Sequence, residues 1–381
     1  MKKALMIASV ASMIDQFNMP NIKLLQELGY SVEVACNFEN GSTCSKERID
    51  ALKRELTSLG VNYYHIDFAR HILRLDNHLK AYKQLKKIAK KTGYNLVHCH
   101  SPIGGLIGRL VFNKYRKQGT KVIYTAHGFH FYKGAPLKNW IFFYPVEKLC
   151  SKKTDILITI NREDYKLAKN KMKVKQIEYV PGIGIDMKKF AGINIDRDNK
   201  RESIGVPKDC FLLFSVGELN VNKNHEAVIR ALAIRKDKRI HYAIAGKGDK
   251  ADELVRIARE LEIQDNIHLL GFHNDISELY AASDLYVHPS LREGLSVALM
   301  EAIASKIPVI CSNIRGNVDL VKQDNLFDPT DIRCISDKIK QFEDVSCIVN
   351  VEENYEHLKA FDISTVLCKM KAIYEGDKEV S

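Results

Sequence analysis

Two glutamates, Glu293 and Glu301, stand eight positions apart in "LREGLSVALMEAIASKIPVIC", residues 291–311, with no charged residue between them. Glu293 follows the apolar run "DLYVHPS", and Gly294 breaks the backbone before a helix expected to start near Leu295. Eight residues at 100° each leave a net rotation of about 80°, so both carboxylates can face broadly one way. The N–H groups of Leu295, Ser296 and Val297, with the helix dipole, would make an anion site suited to a diphosphate. Any strand–loop–helix unit can carry two solvated surface glutamates, and the pair alone leaves that reading open.

Three further pieces could do related chemistry. Gly246 and Gly248 in "AIAGKGDKADEL" lie after a strand and before a helix, where glycine lets backbone pass close to a ligand. Many strand–helix turns contain glycine for other reasons. In "SVGELNVNKNHEAV", Gly217 closes a strand and Lys223 precedes the expected N-cap Asn224. A lysine there can hold phosphate as a mobile point charge, or can simply be a solvated loop residue. His127 follows the strand "KVIYTA" and is trailed by Gly128, so it should point from a strand end into a cleft unless backbone satisfies it. His98 and His100 alternate on "NLVHCH". His98 reads as structural, whereas His100 and the adjacent Ser101, at the strand end, are candidates for acceptor contact.

No metal or cofactor is expected. The "DRD" at 196–198 imitates a cation-binding DxD, but it sits in a polar stretch away from any strand end, and two carboxylates alone make a poor site. The thirteen histidines contain no HExxH pattern.

These residues need a scaffold, and the chain supplies two. At 381 residues it exceeds the roughly 250–300 at which a single core stops growing. Its first half alternates strands ("KALMIAS", "SVEVACN", "NLVHCH", "KVIYTAHG", "DILITI") with helices ("NIKLLQELG", "ERIDALKRELTSLG", "HLKAYKQLKKIAKK"). The second repeats the rhythm with "FLLFSVG", "HYAIAG", "NIHLLG", "DLYVHPS" and "PVICS". Such alternation implies parallel βαβ units and an α/β class. We expect two doubly wound, Rossmann-like domains facing across a cleft: residues 1–182, a polar hinge-like linker at 183–205, residues 206–360, and a C-terminal helix within 361–381 crossing back to the first domain. Ligands of such sheets bind at the carboxyl ends of the strands.

Composition is that of a globular protein, 45% hydrophobic and 28% charged, with no apolar run of about 18 residues. Nine cysteines without a CxxC pair fit a reducing cytoplasm better than a disulfide scaffold. The start, "MKKALMIASVASMIDQF", imitates a signal peptide but also reads as a short buried first strand, Ala4 to Ala8. Net charge is +11 and unevenly shared: residues 1–182 carry 31 Lys and Arg against 14 Asp and Glu, a net +17, and the remainder is acidic. That asymmetry points to an anionic partner for the first half. "HLKAYKQLKKIAKK" sets Lys80, Lys83, Lys87 and Lys90 along one helical face, which suits an anionic membrane surface or is merely solvated. Nucleic acid is not expected, since no RRM, KH or zinc-finger pattern is present.

Together and in this order, "NIHLLGFHNDISELYAASDLYVHPSLREGLSVALMEAIASKIPVICS" resembles the donor-binding core of retaining glycosyltransferases of family 4, which have the GT-B fold. The glutamate pair matches that family's E-x7-E signature. "VHCHSPIGGLIGRL" and "YTAHGFHFYKGAPLKNWIFFYPVEKL" look like bacterial enzymes that build exopolysaccharide or capsule repeat units. The resemblance implies that Glu293 lies at the transferred sugar and Glu301 accepts bonds from the nucleotide ribose. It places His127 near the donor sugar and Lys223 at the diphosphate. Gly217, Gly246, Gly248, Gly294, Leu295, Ser296 and Val297 would then line the donor site. Two departures stand out. Glu218 occupies the place of the family's phosphate-binding arginine, for which Arg292 or Lys247 could compensate. "SVASMIDQFNMP" replaces the usual Gly-Gly loop after the first strand.

The implied activity is transfer of a sugar from a nucleotide sugar, UDP-linked, to a lipid-diphosphate-linked glycan acceptor with retention, by an enzyme on the inner face of the cell membrane. A GT-B nucleotide-sugar 2-epimerase, or a non-catalytic sugar-nucleotide-binding scaffold of a polysaccharide assembly complex, would use a similar fold.

Overall fold

The first apolar run of the chain becomes a central strand. In the computed structural model, which describes residues 1–381 except 41–43, 70, 72, 344–349 and 377–381, β1 (Lys2–Val10) lies between two parallel neighbours. Ala4, Met6 and Ala8 bury on one face of it, and Leu5 and Ile7 on the other. Burial on both faces accounts for a continuous apolar run in place of an alternating one.

Contacts divide the chain into two units, Met1–Ile183 with Ser364–Ser381, and Gly184–Ile363. In the first unit β1 runs directly into α1 (Ala11–Phe17), followed by α2 (Met19–Glu27), β2 (Tyr30–Asn37) and α3 (Lys46–Ser58). Then come β3 (Asn62–His65), α4 (Leu75–Lys91), β4 (Leu96–His100) and α5 (Pro102–Arg116). The unit continues with β5 (Lys121–Ala126), α6 (Leu137–Ser151), β6 (Ile156–Thr159), α7 (Arg162–Lys171) and β7 (Gln176–Tyr179). The strands form one parallel sheet in the order β3-β2-β1-β4-β5-β6-β7. Helices α1 to α3 pack on one face, and α4 to α7 on the other.

The second unit opens with α8 (Arg197–Ser203), β8 (Phe211–Val216), α9 (His225–Arg235), β9 (Ile240–Ala245) and α10 (Ala251–Glu260). It continues through β10 (Ile267–Gly271), α11 (Ile276–Ala282), β11 (Leu285–His288), α12 (Val297–Ala304) and β12 (Val309–Ser312). Short β13 (Leu326–Phe327), α13 (Ile332–Glu343) and α14 (Val351–Leu358) follow. Its parallel sheet runs β10-β9-β8-β11-β12-β13. The last helix, α15 (Ile363–Glu375), buries Val366, Met370 and Tyr374 in the core of the first unit.

One expectation is corrected here. The stretch 183–205 is not a linker, because Ile183 ends the first unit and residues 184–205 belong to the second. Ile185 and Met187 join the same core as Val206. Arg201 is buried, pairing with Asp284 at 2.7 Å and donating to the carbonyls of Ala282, Lys208 and Cys210. Such a charge is tolerated inside only when fully bonded. Asp196 of the "DRD" caps α8, accepting from the Asn199 N–H at 3.1 Å. The chain instead passes between units at Ile183–Gly184 and at Ile363–Ser364.

Candidate functional site

Both sheets have the strand-order reversal at which open α/β folds bind ligands, between β8 and β11 in the second unit and between β1 and β4 in the first. The predicted residues of the second unit gather at the carboxyl end of its reversal. The loop after β8 carries Gly217, Glu218 and Lys223; the loop after β11 carries Glu293, Gly294 and Leu295. Backbone ties the loops together: Leu291 N–H donates to Asn222 O at 2.8 Å, and the Asn222 amide to Arg292 O at 3.0 Å. Lys223 Nζ then lies 2.7 Å from Glu293 Oε1. Two residues 70 positions apart are thus joined across the switch point.

A residue absent from the sequence reading completes this pair. His288, the last residue of β11, is buried, with Nε2 3.4 Å from Glu293 Oε1 and Nδ1 3.3 Å from the Tyr286 hydroxyl. Nε2 also meets Ser290 Oγ at 3.3 Å; in the tautomer with the proton on Nε2, the Tyr286 hydroxyl donates to Nδ1 and Nε2–H faces the carboxylate. Burial works to raise the Glu293 pKa, but the His288 bond and the Lys223 ammonium outweigh it and hold the carboxyl well below the usual range. Burial pushes His288 down, so it stays neutral while donating. A histidine ending an apolar strand was the available signal, the one that singled out His127. Arg315, also missed, donates from Nε to Glu293 O at 3.2 Å.

Ser296 is the N-cap of α12, its Oγ accepting from the Leu299 N–H at 3.3 Å. The helix therefore starts at Val297, not at Leu295. Its first N–H groups belong to Val297 and Ala298, and Leu295 precedes the helix. Gly246 and Gly248 lie after β9, pressed against the loop after β8. A Cβ on Gly246 would meet Gly217 O at 1.8 Å, and one on Gly248 would meet Leu219 O at 2.2 Å. Close loop packing by itself accounts for both glycines. Glu218, Lys247 and Arg292 are exposed on these same loops.

Glu301 lies about one turn into α12, and its carboxylate accepts from the Tyr280 hydroxyl at 3.1 Å. Burial pushes its pKa up to about 7, against the lowering effect of that bond. Burial pushes the Tyr286 hydroxyl up, and the charges of Glu301 and Glu293 add to that rise. A carboxyl whose folded pKa is raised destabilises the fold as pH climbs from the unfolded value of about 4.5 toward about 7. Glu301→Gln should remove this dependence. In denaturant titrations, the stability of Glu301→Gln relative to wild type should rise by on the order of 3 kcal/mol between pH 4 and pH 8. A difference flat with pH would show that Glu301 does not titrate this way.

In the first unit, His100 Nδ1 lies 3.0 Å from His127 Nε2, and His100 Nε2 lies 3.1 Å from Met6 Sδ. His98 bonds the Tyr374 hydroxyl at 2.9 Å and Thr125 Oγ1 at 2.8 Å, the structural role expected of it. Burial pushes His127 down to about 4, His98 to about 3 and His100 well below the usual range, so all three are neutral. His100 and His127 border a small cavity with Phe17, Asn18, Asn21 and Met370. Ser101 is buried instead. Its Oγ accepts the Ser9 N–H at 3.0 Å and meets Ser9 Oγ at 2.6 Å, which joins the ends of β1 and β4. These bonds spend its hydroxyl on the strand ends, and its acceptor role is not supported. The segment that replaces a Gly-Gly loop, residues 9–20, ends β1, passes into α1 without a turn and begins α2.

Two Rossmann-like units with sites at their switch points define the GT-B class of glycosyltransferases. The description "Glycosyl transferases group 1" matches residues 196–358 and "Glycosyl transferase 4-like" matches residues 6–161; the chain belongs to this glycosyltransferase family. It is 36% identical to EpsD of Bacillus subtilis (strain 168), whose name places it among glycosyltransferases, over 84% of this chain and 81% of that one. It is 29% identical to the Escherichia coli UDP-Gal:alpha-D-GlcNAc-diphosphoundecaprenol alpha-1,3-galactosyltransferase, over 77% of this chain and 75% of that one. The crystal structure of Anabaena HepE in complex with UDP shares the fold, with a TM-score of 0.76 at 17% identity, covering 99% of this chain and 100% of that one. The chain is therefore a glycosyltransferase.

Proposed function

We propose that this enzyme moves a hexosyl group from a UDP-sugar to a glycan carried on a lipid diphosphate, with retention at the anomeric carbon, in the building of an exopolysaccharide or capsule. The observation that carries this reading is the Lys223–Glu293 pair across the β8/β11 switch point, beside the first turn of α12. A relative named for a UDP-galactose donor and a diphosphoundecaprenol acceptor supports the choice of substrates.

In this reading the diphosphate meets Lys223 and the N–H groups of Val297 and Ala298, which stabilise the charge developing on the departing group. The Lys223 ammonium has three N–H donors, and Glu293 uses one. Glu293, held ionised and oriented by His288, receives hydroxyl donors of the sugar. Glu301 accepts from the ribose. His127, neutral, offers a hydrogen bond without adding charge. No metal has a part in this reading. The first unit faces an anionic membrane through the lysines of α4 and takes the acceptor there. No helix among the described residues is long and apolar enough to cross a membrane.

The test is a panel of UDP-, GDP- and ADP-sugars followed by thermal shift, then by NMR of the transferred sugar. A UDP-sugar at 100 times its Kd should add about 2.7 kcal/mol of stability. The product should keep the donor's anomeric configuration. Exchange at sugar C2 without transfer would mark an epimerase. Donor binding with neither hydrolysis nor transfer would mark a scaffold.

A further inference from the structure

Helix α6 has one face more than its fold requires. Its inner side is fully employed: Trp140 and Tyr144 pack on Phe131 at centroid distances of 5.6 and 5.4 Å, and Cys150 is buried. Glu147 takes the buried Arg109 of α5, with Nη2–Oε2 at 3.1 Å. The outer side carries Leu137 at 73% exposure, Ile141 at 58%, Phe142 at 70%, Val146 at 42% and Leu149 at 62%. At 100° per residue these five, with exposed Pro145, fall within one half of the helix circumference. The other exposed residues from 137 to 152 are Lys138, Lys148 and Lys152, and none of the nine is acidic.

Apolar side chains crowded on an exposed face ordinarily mark an interaction site. Here they share that half of the helix with lysines, whose aliphatic stems can lie along apolar surface while their ammonium groups reach anionic headgroups. The surroundings agree in sign. Helix α5, next to α6, exposes Leu110 and Lys114, and Lys117 is exposed just beyond its end. Helix α4, in the same layer over the sheet, exposes Lys80, Lys83, Lys86, Lys87, Lys90 and Lys91. Residues 1–182 carry a net +17. A second copy of the chain fits this face poorly, because a symmetric contact would set lysines against lysines on two strongly basic units.

We infer that the outer face of α6 inserts into an anionic lipid bilayer, Ile141 and Phe142 entering the acyl region while Lys138, Lys148 and Lys152 meet the headgroups. This extends the proposed membrane-facing role of the first unit, and rests on that reading, by naming the insertion surface. Charge on α4 draws the protein in, and the apolar face of α6 retains it.

The experiment is co-sedimentation of the full chain with vesicles of phosphatidylcholine and phosphatidylglycerol, or of phosphatidylcholine alone, at low and high salt. Three proteins are compared: wild type, Ile141→Ser/Phe142→Ser, and Lys83→Glu/Lys87→Glu/Lys90→Glu. Since the replaced side chains are exposed, all three should melt at similar temperatures. Wild type should bind the anionic vesicles and keep part of that binding at high salt. The α6 variant should bind about 10-fold or more weakly at both salts, because two large apolar side chains no longer leave water. The α4 variant should weaken mainly at low salt. If the α6 variant matches wild type while the α4 variant fails, insertion is overturned and purely electrostatic docking stands. If wild type binds no vesicles, both fall. A wild-type dimer that the α6 variant dissociates, with no vesicle binding, would assign the face to a second copy and also overturn the inference.

Discussion

Glu293→Gln should lower kcat by about 10²–10³ with little change in KM for the donor. The substitution keeps the size of the side chain and removes its charge. That charge is held by two neighbours, Lys223 Nζ at 2.7 Å and His288 Nε2 at 3.4 Å, and stays ionised despite burial. A carboxylate fixed this way costs no reorganisation when positive character builds at the anomeric carbon, so its effect should appear in the transition state. Steady-state kinetics on the variant, with a thermal melt to show that it is folded, make the measurement. A rise confined to KM would mean that Glu293 only binds the sugar, and the catalytic assignment would fail.

Lys223→Ala should cost a similar factor in kcat and, unlike the glutamate change, should also weaken binding of free UDP. The ammonium is the group proposed to meet the diphosphate, whereas Glu293 is placed at the sugar. The two side chains touch, so their effects should not add, and the double variant should lose little more than the worse single one. Isothermal titration with UDP separates the roles. UDP affinity unchanged in Lys223→Ala would leave the lysine as a counter-ion for Glu293 and remove it from the diphosphate. Glu218 is exposed and acidic, and Lys223 is the one cation of the loop after β8, residues 217–224.

Some of this architecture was legible because the signals are local. Buried parallel strands read as apolar runs, and "KALMIAS", "KVIYTA" and "FLLFSVG" each became the strand their composition implied. The edge strands β3, β7 and β13 escaped notice: two to four residues with partners on one side need little hydrophobicity. The stretch 183–205 was misread for a related reason. Its polarity comes from Arg197, Lys200 and Arg201, whose charges are met by Asp284, Asp275 and Glu278 from distant segments. Composition cannot show that a charge has found its counter-charge.

The site divides along the same line. Spacing alone put Glu293 in a strand–helix loop and Glu301 about two turns beyond it on the helix that follows, since both follow from backbone periodicity within a dozen residues. Sequence order also set the parallel βαβ rhythm and the excess of positive charge in the first half. Only tertiary structure decided that Lys223 and His288 hold Glu293 ionised while Tyr280 meets a Glu301 raised by burial. It likewise spent Ser101 on a strand junction and left the apolar face of α6 uncovered. Each of these depends on which groups lie within about 4 Å and how much water they keep, and folding alone determines that.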